Sequence, residues 1–177
     1  EQQIGHLMDV NRGVCHQVLI DSGLSEPGLV IVITDSHTTT HGALGAFATG
    51  VGATDLATIL LTGKLWFRVP EILRITLNGK LQPGVFAKDV ILKIIGTLKA
   101  DYAVYKGIEF TGSAVSDMPV SERLCLCNMT TEMGAKCAYI QPDDKTFAYL
   151  KARGVKNPQA GLVHSDPDFV FSEELAF

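Results

Sequence analysis

Two rhythms of apolar and polar positions run along this chain, and each predicts its own kind of element. From Ala87 to Leu98 the apolar residues fall at Val90, Ile91, Ile94, Ile95 and Leu98, with Lys88, Asp89, Lys93 and Thr97 between them. That is the spacing of an amphipathic helix with one dry face. Further helices are predicted over Cys15–Asp21, closed by Ser22-Gly23, and over the small-residue stretches Gly42 to Gly52 and Ala53 to Leu61. Two more run from about Pro119, a residue favoured in a first turn, to Met133 before Gly134, and from Asp143 to Ala152.

The second rhythm belongs to strands. Leu29 to Ile33 is apolar at every position, as in a strand covered on both faces. Glu71 to Leu77 alternates apolar and polar before an exposed Asn78-Gly79 turn. Leu65 to Val69, Lys106 to Phe110 and Lys136 to Ile140 read as three more. Helices alternating with apolar strands predict a layered α/β domain over residues 1–155. Residues 156–177, acidic and proline-bearing, read as an extended tail or linker to an absent domain. There is no internal repeat.

With 177 residues and 46% hydrophobic content the chain can bury a real core. Its apolar runs stay far short of the roughly 20 residues of a membrane span, so no membrane role is expected. The formal net charge is -4 with no Lys/Arg block, which argues against nucleic acid as a partner, since phosphate binding needs concentrated positive charge. Small molecules or protein partners fit better. Cys15, Cys125, Cys127 and Cys137 form no small secreted disulfide framework, so a reducing cytoplasm is the expected location. The amino terminus from Glu1 has neither a basic region nor a long apolar stretch, so it is not a secretory signal; it was either processed or cut from something longer.

Chemistry concentrates where the Leu29–Ile33 strand ends, on Thr34-Asp35-Ser36-His37. An acid, a hydroxyl and an imidazole at a strand's carboxyl end can bind a ligand and handle protons. The same residues equally suit a loop that caps the next helix. Three consecutive residues cannot form a serine-hydrolase triad, and no Gly-x-Ser-x-Gly elbow is present. His37 and His41, four apart, would share a face if helical, as zinc ligands can, but Cys125 and Cys127 lack the usual metal-knuckle spacing. Asn128 and Glu132 lie four apart on the predicted helix, a spacing that also occurs in plain solvated pairs. His16, beside Cys15, reads alone as a satisfied buried imidazole. The glycines from Gly42 to Gly52 match no phosphate-binding loop and read as close packing.

Taken together, Cys15-His16-Gln17, Thr34-Asp35-Ser36-His37-Thr38, the stretch GAFATGVGATD from Gly45 to Asp55, Ala87-Lys88-Asp89-Val90-Ile91-Leu92, and Cys127-Asn128-Met129 followed by Glu132 resemble the aconitase superfamily in order and spacing. The likeness runs from about Gly5 to Leu150 and is nearest to large subunits of the 3-isopropylmalate dehydratase and homoaconitase type, especially the archaeal-type branch. It implies a three-layer α/β/α domain of the aconitase iron-sulfur type. It also implies a hydro-lyase that isomerises 2-hydroxy acids by dehydration and rehydration at a 4Fe-4S cluster. Carried onto matching positions, His16 pairs with Asp35, His37 pairs with Glu132, Ser36 contacts substrate and Asn128 lies near the cluster. A carboxylate beside an imidazole fixes its tautomer and raises its basicity.

The departures matter as much. The family's cluster cysteines lie in a Ser-Cys-Thr-Asn type motif and a later Cys-x-x-Cys, and neither occurs here; Cys127 matches a position that is not a ligand. An upstream Asp-His pair and substrate-binding arginines are missing too, and Ala100 to Tyr105 is less glycine-rich than in relatives. No metal ligand is therefore assigned in this chain. The resemblance implies that the remaining large-subunit domains and a small subunit complete the site around a small hydroxy acid. Two rival readings are a non-catalytic binding or assembly module of the same descent, and a small zinc hydrolase using His37, His41 and a cysteine.

Overall fold

The computed structural model describes residues 4–177; Glu1 to Gln3, part of the amino terminus read above, lie outside them. Helices α1 (Cys15–Asp21), α2 (Ala53–Thr62), α3 (Ala87–Leu98), α4 (Ser113–Asp117), α5 (Val120–Met129) and α6 (Asp144–Lys151) alternate with strands β1 (Val30–Ile33), β2 (Phe47–Gly50), β3 (Ile72–Thr76), β4 (Gly107–Thr111), β5 (Cys137–Ile140) and β6 (Glu173–Ala176). A 3-10 helix spans Ser36–Leu44 and another spans Thr130–Met133. The chain is thus a mixed α/β domain built on parallel sheets: β1 pairs with β2, and the larger sheet runs β5-β4-β3-β6, every neighbour parallel.

Alternation along the strands sets the core. Leu73 and Ile75 of β3, Ile108 and Phe110 of β4, and Ala138 and Ile140 of β5 are buried in one cluster with Ile91 and Ile94 of α3 and Leu126 of α5. Burial of each large aliphatic side chain contributes about 1.5–3 kcal/mol. The α3 helix follows the predicted bounds to the residue, and Asp89 holds its first turn by accepting from the Phe86 amide at 2.9 Å. Arg123 on α5 is almost fully buried, yet both its terminal nitrogens donate to the Asp143 carboxylate, at 2.8 and 2.6 Å. Asp143 also caps α6 through the Thr146 amide, so one ion pair joins two helices.

The opposite face of the larger sheet is polar and strapped. Arg74 pairs with Glu109 at 3.0 Å and lies 3.6 Å over the Phe171 ring, while the Tyr139 hydroxyl donates to the Val163 carbonyl at 2.8 Å. Residues 156–177, expected as an extended tail, therefore cross this face and end as β6, paired with β3 from Leu73–Glu173 to Thr76–Ala176.

Several local expectations differ. The strand after Leu29 is not covered on both faces: it has one neighbour, and Val30 is 67% exposed. The stretch from Gly42 to Gly52 is not a helix. The 3-10 helix stops at Leu44, Gly45 turns in the left-handed region, and Phe47–Gly50 pairs with β1, where small residues fit a close parallel ladder. Leu65 to Val69 forms no strand; its Phe67 contacts β2 through the side chain, stacking on Phe47 with centroids 5.4 Å apart, and Trp66 projects outward. The helix from Pro119 tightens into the 3-10 turn after Met129 and ends on left-handed Gly134. Helix α4 had no periodic signal.

Candidate active site

The 3-10 helix Ser36–Leu44 organises the polar cluster. Such helices rarely exceed three or four residues, and here the sequence supplies the support. Asp35 caps the start, its Oδ1 accepting the His37 amide at 2.8 Å. The Thr38 and Thr40 hydroxyls donate to the carbonyls three residues back, Asp35 and His37, each at 2.6 Å. Thr39 donates to the Cys127 carbonyl at 2.9 Å and pins the helix to α5. At Gly42 an added Cβ would sit 1.9 Å from the Ala138 carbonyl oxygen, so only glycine allows this approach to β5.

This winding decides where the histidines point. With three residues per turn, positions four apart diverge, so His37 and His41 do not share a face as an α-helix would place them. His37 reaches solvent and His41 is fully buried.

Both expected imidazole–carboxylate pairings occur in the geometry. His16 Nε2, carried in from α1, lies 3.0 Å from Asp35 Oδ1, and His37 Nε2 lies 3.3 Å from Glu132 Oε1. His37 Nδ1 is 3.4 Å from Ser36 Oγ and 3.5 Å from Asp35 Oδ1, so Asp35 links the two pairs. Asn128 is fixed differently, donating through Nδ2 to Thr40 Oγ1 at 2.8 Å. His16 is buried and His37, Asp35 and Glu132 are open to solvent. The hydrogen bond from His16, then that from the His37 amide, holds the Asp35 carboxyl below the usual carboxylate range.

Beside this cluster lies an open cleft of about 580 Å³, lined by Asp35 and Ser36 together with the Gly50–Gly52 backbone, Asp55, Tyr105 and Lys136. Lys136 Nζ donates to the Gly50 carbonyl at 3.1 Å. His16, His37, Asn128 and Glu132 are not part of its wall. Asp35 and Ser36 are therefore the members of the expected set that a ligand in the cleft would touch.

Two of the four cysteines, Cys127 and Cys137, are poor candidates for metal ligands. Among the described residues no three His, Cys, Asp or Glu side chains are placed to hold a metal ion. Cys127 and Cys137 are buried, and burial pushes both thiols up, Cys137 to about 11, which disfavours the thiolate that iron requires.

Sequence reasoning read His41 as a possible zinc ligand and passed over Ser25 and Thr40. His41 Nε2 lies 3.3 Å from His16 Nδ1, its Nδ1 lies 3.0 Å from Ser25 Oγ, and Thr40 accepts from Asn128. The threonine run Thr38-Thr39-Thr40 was the available signal, since hydroxyls back-bond to their own turn; nothing local announced Ser25.

The family model for the aconitase family (aconitate hydratase) matches residues 2–174. The chain is 54% identical over 175 residues to the 3-isopropylmalate dehydratase large subunit 1 of Methanopyrus kandleri, covering 99% of this chain and 41% of that one. It is 49% identical over 177 residues to the probable methanogen homoaconitase large subunit of Methanosarcina mazei, covering 100% of this chain and 45% of that one. The chain thus spans less than half the length of these curated relatives. A family-model match along nearly the whole chain, with relatives about half identical over the same length, shows that the chain belongs to the aconitase family.

Proposed function

We propose that this chain supplies the acid/base and substrate-contacting part of a hydro-lyase that isomerises a 2-hydroxy acid by dehydration and rehydration, in the manner of the 3-isopropylmalate dehydratases and homoaconitases. The observation that carries the reading is the joining of two imidazole–carboxylate pairs, His16–Asp35 and His37–Glu132, through one capped helix. Dehydration requires that one proton leave carbon and another reach the departing hydroxyl, and positioned imidazoles with carboxylate partners move protons near neutral pH.

In this reading Asp35 presents its carboxylate to the cleft and is kept ionised by His16 behind it. Ser36, on the same wall, donates to a substrate carboxylate or hydroxyl. His37, with Glu132 on one ring nitrogen and Ser36 on the other, holds and returns a proton. Asn128, tied to Thr40, lies near the cluster in the complete enzyme. A 4Fe-4S cluster in the complete enzyme would supply Lewis-acid chemistry at the hydroxyl; its ligands come from outside this chain, since among the described residues no three His, Cys, Asp or Glu side chains are placed to hold a metal ion. The remaining large-subunit domains and a small subunit are the proposed partners, and residues 1–155 with their strapping tail form one domain of that longer protein.

Hydration of a 2-alkylmaleate, measured anaerobically with iron and sulfide, tests this. Turnover should require the chain together with the remaining portion of a relative's large subunit and its small subunit. Turnover by the chain alone would overturn the division of labour. No turnover in either sample, with all parts folded, would favour a non-catalytic module.

A further inference from the structure

We infer that His41, backed by Ser25, is a positioning residue that fixes which nitrogen of His16 carries the proton facing Asp35. The geometry leaves one consistent arrangement of protons across four side chains. Asp35 is ionised and can only accept, so His16 Nε2, 3.0 Å away, must be the protonated nitrogen. In neutral His16 this leaves Nδ1 with a lone pair, and the group facing it at 3.3 Å is His41 Nε2, which must donate. His41 is fully buried, and that burial, with His16 adding to it, lowers its pKa to about 4 and keeps it neutral. Its Nδ1 is then an acceptor, filled by the Ser25 hydroxyl at 3.0 Å.

The order is therefore Ser25 to His41, His41 to His16, and His16 to Asp35, with every donor pointing toward the carboxylate. Both Ser25 and His41 are completely buried, so the row ends inside the protein and is not a wire that delivers protons from solvent. Its physical effect is orientation: the row locks the His16 ring and its tautomer. The two rings meet edge to face at 5.4 Å and 68°.

The catalytic meaning of this positioning rests on the proposed acid/base role of His16, but the tautomers themselves do not. They are read directly by long-range proton–nitrogen NMR of the histidine rings in the full 177-residue chain at neutral pH, without substrate or cluster. Both His16 and His41 should appear as neutral Nε2–H tautomers. In Ser25→Ala, a small change that leaves the core volume nearly intact, His41 should remain Nε2–H while its Nδ1 resonance moves toward that of a pyridine-type nitrogen with no donor. The His16 Nδ1 resonance should hold its place, because His41 still donates to it. In His41→Leu the His16 Nδ1 resonance should move toward that of a pyridine-type nitrogen with no donor, while a control Thr58→Ala on exposed α2 should not move it. A wild-type His41 in the Nδ1–H form, or a His16 Nδ1 resonance unchanged in His41→Leu, would overturn the inference whatever the activity of the assembled enzyme.

Discussion

Two helical segments of similar length flank β2, and they contradict their own composition. The 3-10 helix Ser36–Leu44 reads SHTTTHGAL, polar through most of its length, yet seven of its nine residues are buried. Helix α2 reads ATDLATILLT, far more apolar, yet none of its residues is buried. Leu60 and Leu61 are 59% and 77% exposed. The difference lies in what each segment's neighbours provide. The threonines and His41 find hydrogen-bond partners in their own turn, in α5, in α1 and at Ser25, and a paired polar group is inexpensive to bury. Apolar residues on α2 meet no opposing surface among the described residues, and hydrophobicity alone cannot bury a side chain that has nothing to pack against.

The largest effect expected from breaking the polar segment is on activity. In the assembled enzyme Glu132→Gln should lower kcat by about 10²–10⁴, because His37 would lose the carboxylate that orients it; steady-state kinetics at fixed cluster content measures this. An unchanged kcat would place His37 outside the chemistry. In stability, Gly42→Ala should cost about 3 kcal/mol or more, since the new methyl meets the backbone of β5, read as a fall in the urea midpoint.

Acid should strike the same segment. His41 is held near 4, below its ordinary 6.5, so folding opposes its protonation. Its contribution is whole above pH 6.5 and drains away as the pH falls toward 4, by up to about 3 kcal/mol. The lowered carboxyl of Asp35 acts in the same sense further down, its contribution being lost as pH falls through its depressed value. Urea midpoints from pH 7 to 4.5 should therefore fall, and less steeply in His41→Asn. Thr39→Val, which strips the hydroxyl from the Cys127 carbonyl, should cost about 1 kcal/mol in the same assay. On the other side of the comparison, Leu61→Lys should change the midpoint by no more than about 0.5 kcal/mol while improving solubility.

The comparison also explains what the sequence could reveal. Elements whose fate is decided by their own pattern were legible: α3 by its periodic apolar face, α1 and α6 by their ends, β3 by its alternation before Asn78-Gly79, and β4 and β5 as short strands. Where a neighbour decides, the pattern misled. Leu29 to Ile33 looked like a strand covered on both faces and is half open; Leu65 to Val69 looked like a strand and instead meets β2 through the Phe67 ring. The residues of both imidazole–carboxylate pairs were identified through the family resemblance, because spacing alone read Asn128 and Glu132 as a plain helical pair and Asp35 as a cap. Asp35 is in fact both a cap and a partner of His16. His41 and Ser25 escaped because their bond joins segments 16 residues apart, and no local signal encodes it.

Central to this account is a site built in two parts, with the proton-handling pairs formed within this chain and the iron held elsewhere. Anaerobic addition of iron and sulfide to the chain alone, followed by visible absorbance and by iron counted after desalting, tests that division most directly. The account predicts no retained cluster while the folded signature persists; a retained 4Fe-4S chromophore in the isolated chain would contradict it.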